Sequence, residues 1–121
     1  MALPPEPLAE VLPLVHLIID GEVQQCEQTS PDVAPVRHGG VFLAGTQQVQ
    51  LRCDAVLWRS TTVPPPPPLL TVEKPAAGYA VRVGTHGPFL LAQQPSGWVM
   101  MGRYGPDTYE REALLAAIKD L

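Results

Sequence analysis

Side chains able to do acid–base or nucleophilic chemistry are few in this chain: His16, His38 and His86, Cys26 and Cys53, and scattered carboxylates and hydroxyls. A hydrolase-type triad needs a nucleophile, a base within hydrogen-bond reach of it and a third group that orients the base. His86 with Asp54 and either Ser60 or Ser96 supplies the residue types, yet neither serine sits in a nucleophile-elbow sequence. His38 and His86 lie in glycine-flanked loops, where a site can form, whereas His16 lies in an apolar run that suits a hydrogen-bonded structural histidine. Gly84-Thr85-His86-Gly87 is too short for a phosphate-cradling loop and lacks its lysine. The two cysteines and three histidines fall at no pairwise spacing that suits a metal, so no metal site, cofactor or catalytic residue is assigned. An enzyme built on His38 or His86 ranks third among the functional readings, and the chain is read as non-catalytic.

A second chemistry is anion binding. Residues 1–35 hold six acids and no Lys or Arg, whereas Arg37, Arg52, Arg59, Lys74, Arg82 and Arg103 lie between 36 and 105 against only Asp54 and Glu73. Arg52, Arg59, Arg82 and Arg103 beside Trp58 and Trp98 could neutralise and stack a single-stranded nucleic acid. The competing reading is that these arginines pair with the acidic N-terminal segment or with a partner chain. The whole chain carries a net charge of −4, and nucleic-acid modules carry a clear basic excess.

The elements that must position these groups are short, because fifteen prolines fragment the chain. Glu6–Leu12 can form two helical turns within a proline-rich arm, residues 1–13, that Pro13 ends. Leu14–Ile19, Asp20-Gly21 and Glu22–Cys26 read as a hairpin, since Asp-Gly supplies the positive φ of a tight turn. Gln28–Gly40 reads as a loop and Val41–Ala44 as a short strand. Val49, Leu51, Cys53, Ala55 and Leu57 then alternate with Gln50, Arg52 and Asp54, the pattern of a half-buried strand. Pro64–Pro68 favours a polyproline II connector, with a ligand for an aromatic groove as its second reading, and Leu69–Lys74 is a further strand.

The last third completes the expectation. Tyr79–Val83, Phe89–Gln93 and Trp98–Tyr104, separated by Gly84–Pro88 and Gln94–Gly97, predict a three-strand meander over 79–104. Asp107 with Glu110 has capping-box spacing, and Leu114, Ile118 and Leu121 recur at helical intervals, so a helix is expected over about 107–121. The predicted fold is therefore α+β in a single domain, 1–121: a curled, mainly antiparallel sheet with a C-terminal amphipathic helix packed on it.

Two cysteines in a chain with no basic n-region before Val11–Ile19, and no uninterrupted span of ~18 apolar residues, suit a cytoplasmic protein with free thiols and no membrane segment. The meander is apolar on both faces, which calls for cover on both sides. Hence the leading functional reading is an interaction or accessory subunit whose partner is another protein or a second copy of itself. Its binding patch would comprise Phe89, Leu91, Trp98, Met100 and Tyr104. The single-stranded nucleic-acid or anion binder is the alternative.

Overall fold

The computed structural model describes residues 7–28, 33–35, 41–43, 46–75, 80–102 and 105–121. Strand β1 (Leu17–Gln28) runs for 12 residues straight through Asp20-Gly21, so the expected hairpin turn there is corrected to the interior of one strand. A Cβ built on Gly21 would stand 2.1 Å from the carbonyl oxygen of Arg52. Glycine is needed because two backbones meet there, not because the chain reverses.

The chain meeting it is β4 (Thr46–Arg59), antiparallel to β1 from Leu17↔Arg59 to Gln28↔Gln47. The ladder slips between Ile18 and Ile19, between Asp20 and Gly21, and between Val23 and Gln25. Each slip is an irregularity of the β-bulge kind, which bends a strand and raises its twist. Short β2 (Val33–Pro35) and β3 (Val41–Leu43) pair with one another inside the β1–β4 connection.

Bending lets the β1–β4 pair serve both sides of a ring. β4 pairs with β5 (Leu69–Pro75) over Thr46–Arg52, and β1 pairs with β6 (Phe89–Gln94) over Leu17–Ile19. β6 returns through the Pro95-Ser96 turn into β7 (Gly97–Met101), which lies parallel to β5 through Val72↔Trp98 and Glu73↔Val99. The order β1-β4-β5-β7-β6 closes on itself as a five-stranded barrel. With β2 and β3 set aside, the five strands follow the order 1-2-3-5-4 around the ring.

The expected fold class is thus overturned: the sheet is not open and curled but closed, strand predominates, and both helices are short. Helix α1 (Leu8–Val11) leads into a 3-10 turn, Leu12–Leu14, that contains Pro13. The helix expected from about 107 begins later, because Gly105–Asp107 is a separate 3-10 turn that begins with Gly105 at φ +63°. Helix α2 is only Arg111–Ile118, entered through Glu110 without a side-chain cap. The three-strand meander reduces to the β6–β7 hairpin. Of the expected first strand, Tyr79 lies outside the described residues, and Ala80–Val83 belongs to the β5–β6 connection.

Two apolar clusters hold this together. Inside the barrel lie Leu17, Ile19, Val23, Val49, Leu51, Leu70, Val72, Val81, Phe89, Leu91 and Met100. Outside, Ile18 and Leu90 point the opposite way from their neighbours and are covered by Val11, Leu12, Val15 and Leu114. Burying each such side chain is worth about 1.5–3 kcal/mol. Buried Gln47 fastens the β5–β6 connection to the wall: its Nε2 donates to the Val81 carbonyl at 3.1 Å, and its Oε1 accepts from the Val81 N–H at 3.0 Å. The side-chain amide thereby stands in for a strand partner.

Candidate functional site

Strand β6 is apolar on both faces, and the fold satisfies both from within the chain. Phe89, Leu91 and Met100 lie in the barrel interior and Trp98 packs against it, while Leu90 faces outward beneath α2. Four residues of the expected binding patch are therefore core or packed on core, and Tyr104 lies outside the described residues. Closure of the barrel covers Phe89, Leu91 and Met100 from within the chain.

The arginine and aromatic set is dispersed as well. Arg52 Nε donates to Asp54 at 2.7 Å, and Arg52 Nη2 lies 3.6 Å from Glu22, which also meets His86 Nε2 at 3.1 Å. Hydrogen bonding to Asp54, reinforced by the charges of Asp54 and Glu22, raises the guanidinium pKa. The same hydrogen bond lowers the Asp54 carboxyl below its ordinary value, with the charges of Arg52 and His86 adding to it. Arg59, at the far end of β4, donates to the Val63 carbonyl at 2.6 Å. Arg82 is exposed in the β5–β6 connection, and Arg103 lies outside the described residues. Trp58 packs on the outer cluster and Trp98 on the barrel core, so the two indoles belong to different clusters. Among the described residues, these groups are divided among β4, the two clusters and the β5–β6 connection.

Of the triad imagined from sequence, the structure brings His86 and Asp54 into one charged network through Glu22 and Arg52, but no nucleophile joins them. Ser60 shares a hydrogen bond with Thr62 beyond the end of β4, about 20 Å along the strand from Asp54. Ser96 sits in the β6–β7 turn. Burial pushes the Cys53 thiol pKa up and the Asp54 charge adds to this, which keeps the sulfur protonated and weakly nucleophilic. Cys26 is paired across the ladder with Val49, four residues from Cys53, or about 13 Å along β4. Both thiols are free. His16 Nδ1 accepts from the Gln93 N–H at 3.0 Å, a structural role, and His38 lies outside the described residues. Among the described residues no group of three potential ligands could hold a metal ion.

The outside of the barrel also presents polar and locally apolar surface. A shallow groove of about 380 Å³ is bordered by the amides of Gln25, Gln48 and Gln50, by Cys26 and Glu27, and by Val83. At the β4–β5 connection, Val56 is 46% exposed and Leu69 54%, flanking a proline run of which Pro64, Pro65, Pro67 and Pro68 are exposed. Among the described residues, β5 pairs with β4 only as far as Arg52↔Leu69, with one further bond from the Cys53 N–H to the Pro68 carbonyl at 2.8 Å. Asp54–Arg59 is laddered on its β1 side alone.

Sequence reasoning missed Val56 and Leu69, which strand alternation assigns to ordinary sheet positions. It also missed Gln47 and Lys74, which are buried although polar; Lys74 Nζ donates to the Pro75 carbonyl at 2.9 Å. The signal for Lys74 was its place two residues after Val72 and four after Leu70. No helix of the described residues is long and apolar enough to cross a membrane. Comparison of the chain with protein-family models, with curated proteins and with solved structures finds no match.

Proposed function

We propose that this chain is a non-catalytic interaction module, an accessory subunit of the cytoplasm that binds a protein partner, or a second copy of itself, through the outside of the β4–β5 connection. One observation carries this reading: the exposed apolar residues Val56 on β4 and Leu69 at the start of β5 come before and after an exposed proline run in the chain, and the nearby Arg52 and Asp54 are already paired with one another. Apolar exposure beside satisfied charges favours a partner recognised by burial of surface rather than by charge. Two free cysteines agree with a reducing compartment.

The test is purification of the tagged full chain from its source cells, compared with a Val56→Asp/Leu69→Asp variant, with light-scattering mass measured on both. A stoichiometric partner, or a dimer, that is present with the wild type and lost with the variant is the expected result. A monomer that carries the same companions in both forms overturns the reading.

A single-stranded nucleic-acid or anion binder remains the second reading, favoured by the strand order, since OB-type barrels bind oligonucleotides on the wall that corresponds here to β4 and β5. That wall exposes Gln48, Thr71 and Glu73, and its Arg52 is already held by Asp54 and Glu22, which weakens the positive charge such binding uses. Titration of a labelled mixed-sequence single-stranded oligonucleotide at about 50 and 200 mM salt separates the two readings. Affinity that falls steeply with salt and disappears in Arg52→Glu would put the second reading first.

A further inference from the structure

We infer that Pro64–Pro68 is itself a ligand for a protein domain that reads polyproline II segments through an aromatic-lined groove. The inference rests on the interaction-module reading and names the chemistry of the partner.

Five consecutive prolines have φ fixed near −65° and no N–H to donate, which favours the threefold polyproline II helix. With three residues per turn, positions i and i+3 share a face. The burial pattern follows that period: Val63 is 4% exposed and Pro66 is half-buried, whereas Pro64, Pro65, Pro67 and Pro68 are exposed. One face, Val63 with Pro66, is turned to the barrel. The other two, Pro64 with Pro67 and Pro65 with Pro68, are turned outward. Grooves of the SH3, WW and EVH1 type dock Pro-rich PxxP segments, which present prolines at this i, i+3 spacing. From Leu69 onward the period changes to two as β5 begins, so the outward faces end where the run ends.

The run is held at both ends. Arg59 Nη1 grips the Val63 carbonyl, and the Cys53 N–H grips the Pro68 carbonyl. A stiff segment anchored at each end loses little conformational freedom on binding, which favours affinity. Between Ser60 and Leu70 there is no charged residue, and exposed Arg59 supplies one positive charge at the N-terminal end of the run. A connector needs only stiffness. Two outward faces in register are what a reader requires.

The experiment titrates the full chain into isotopically labelled SH3, WW and EVH1 domains and follows the resonances of their groove aromatics. At least one domain is expected to bind with its groove. Pro64→Ala/Pro67→Ala and Pro65→Ala/Pro68→Ala should each weaken that binding about tenfold or more, while Pro66→Ala, on the inward face, stays within about threefold. Unchanged thermal melting of each variant shows that the barrel is intact. Silent grooves at about 1 mM chain, equal binding by the double variants, or equal loss in Pro66→Ala would each overturn the inference. A silent panel together with a cellular partner still lost in Val56→Asp/Leu69→Asp removes the proline ligand alone. A silent panel with no such partner removes the interaction reading too.

Discussion

The two halves of β4 make the most instructive comparison in the molecule. Over Gln47–Arg52 the strand is paired on both sides, with β1 and with β5, and Val49 and Leu51 are fully buried in the barrel. Over Asp54–Arg59 its ladder is with β1 alone, and Val56 stands in solvent. Composition does not explain this, since the doubly paired half is the more polar (Thr46, Gln47, Gln48, Gln50 and Arg52 around Val49 and Leu51) and the singly paired half carries Ala55, Val56, Leu57 and Trp58; what decides burial is the neighbour. β5 can extend its ladder only where it has N–H groups, and upstream of Leu69 the chain is proline. A strand is therefore made core or surface by what lies beside it.

The largest way to break this contrast is Leu51→Ala, which should cost about 2–5 kcal/mol in a urea melt because it opens a cavity in the doubly paired half. Gly21→Ala comes next, at about 2–3 kcal/mol, since the added methyl meets the Arg52 carbonyl, a backbone atom that cannot swing aside. The same scan gives both values, and near-neutral Gly21→Ala would show that the close approach of β1 and β4 does not govern closure. Gln47→Leu should cost about 1–3 kcal/mol by stranding the Val81 N–H and leaving the Val81 carbonyl only the weak Cys26 thiol as donor. Amide exchange at Val81 should accelerate more than at Leu51, and equal acceleration would mean that the glutamine is only a spacer.

Val56→Asp sharpens the contrast from the other side: on the same strand as Leu51 it should change stability by no more than about 0.5 kcal/mol. The smallest effect is electrostatic. Asp54 has a lowered folded-state pKa, so the stability it contributes is present above its ordinary value of 3.8 and is lost as pH falls below that toward the folded value. Its carboxylate is exposed, so an acid titration of stability in Asp54→Asn should differ from wild type only slightly, and only in that acid window. A difference near neutral pH would assign the charge network a larger role.

Legibility followed distance in the chain. The alternation at Val49, Leu51 and Cys53 revealed the barrel face of β4, because a half-buried strand writes period two into its own residues. Beyond Asp54 the same pattern misled, since the ladder slips displace the side chains that follow. Asp20-Gly21 was read as a turn because that pair is a strong local signal, and the contact that explains the glycine lies at Arg52. The candidate site fared likewise: the proline run was visible at once, but its inward and outward faces needed the barrel beside it. The pairing of Arg52 with Glu22 also joins residues that no local pattern links.

By itself, then, the sequence determined where strands can and cannot run, where prolines stop hydrogen bonding, and that charge is split between an acidic start and an arginine-bearing middle. These are properties of short segments. Tertiary structure alone decided that the sheet closes, that Phe89, Leu91 and Met100 face inward, and that Arg52 meets Glu22 and Arg111 meets Asp20. The physical reason is that closure depends on bends at irregular ladder positions, and a bend is stable only when distant backbones meet across it.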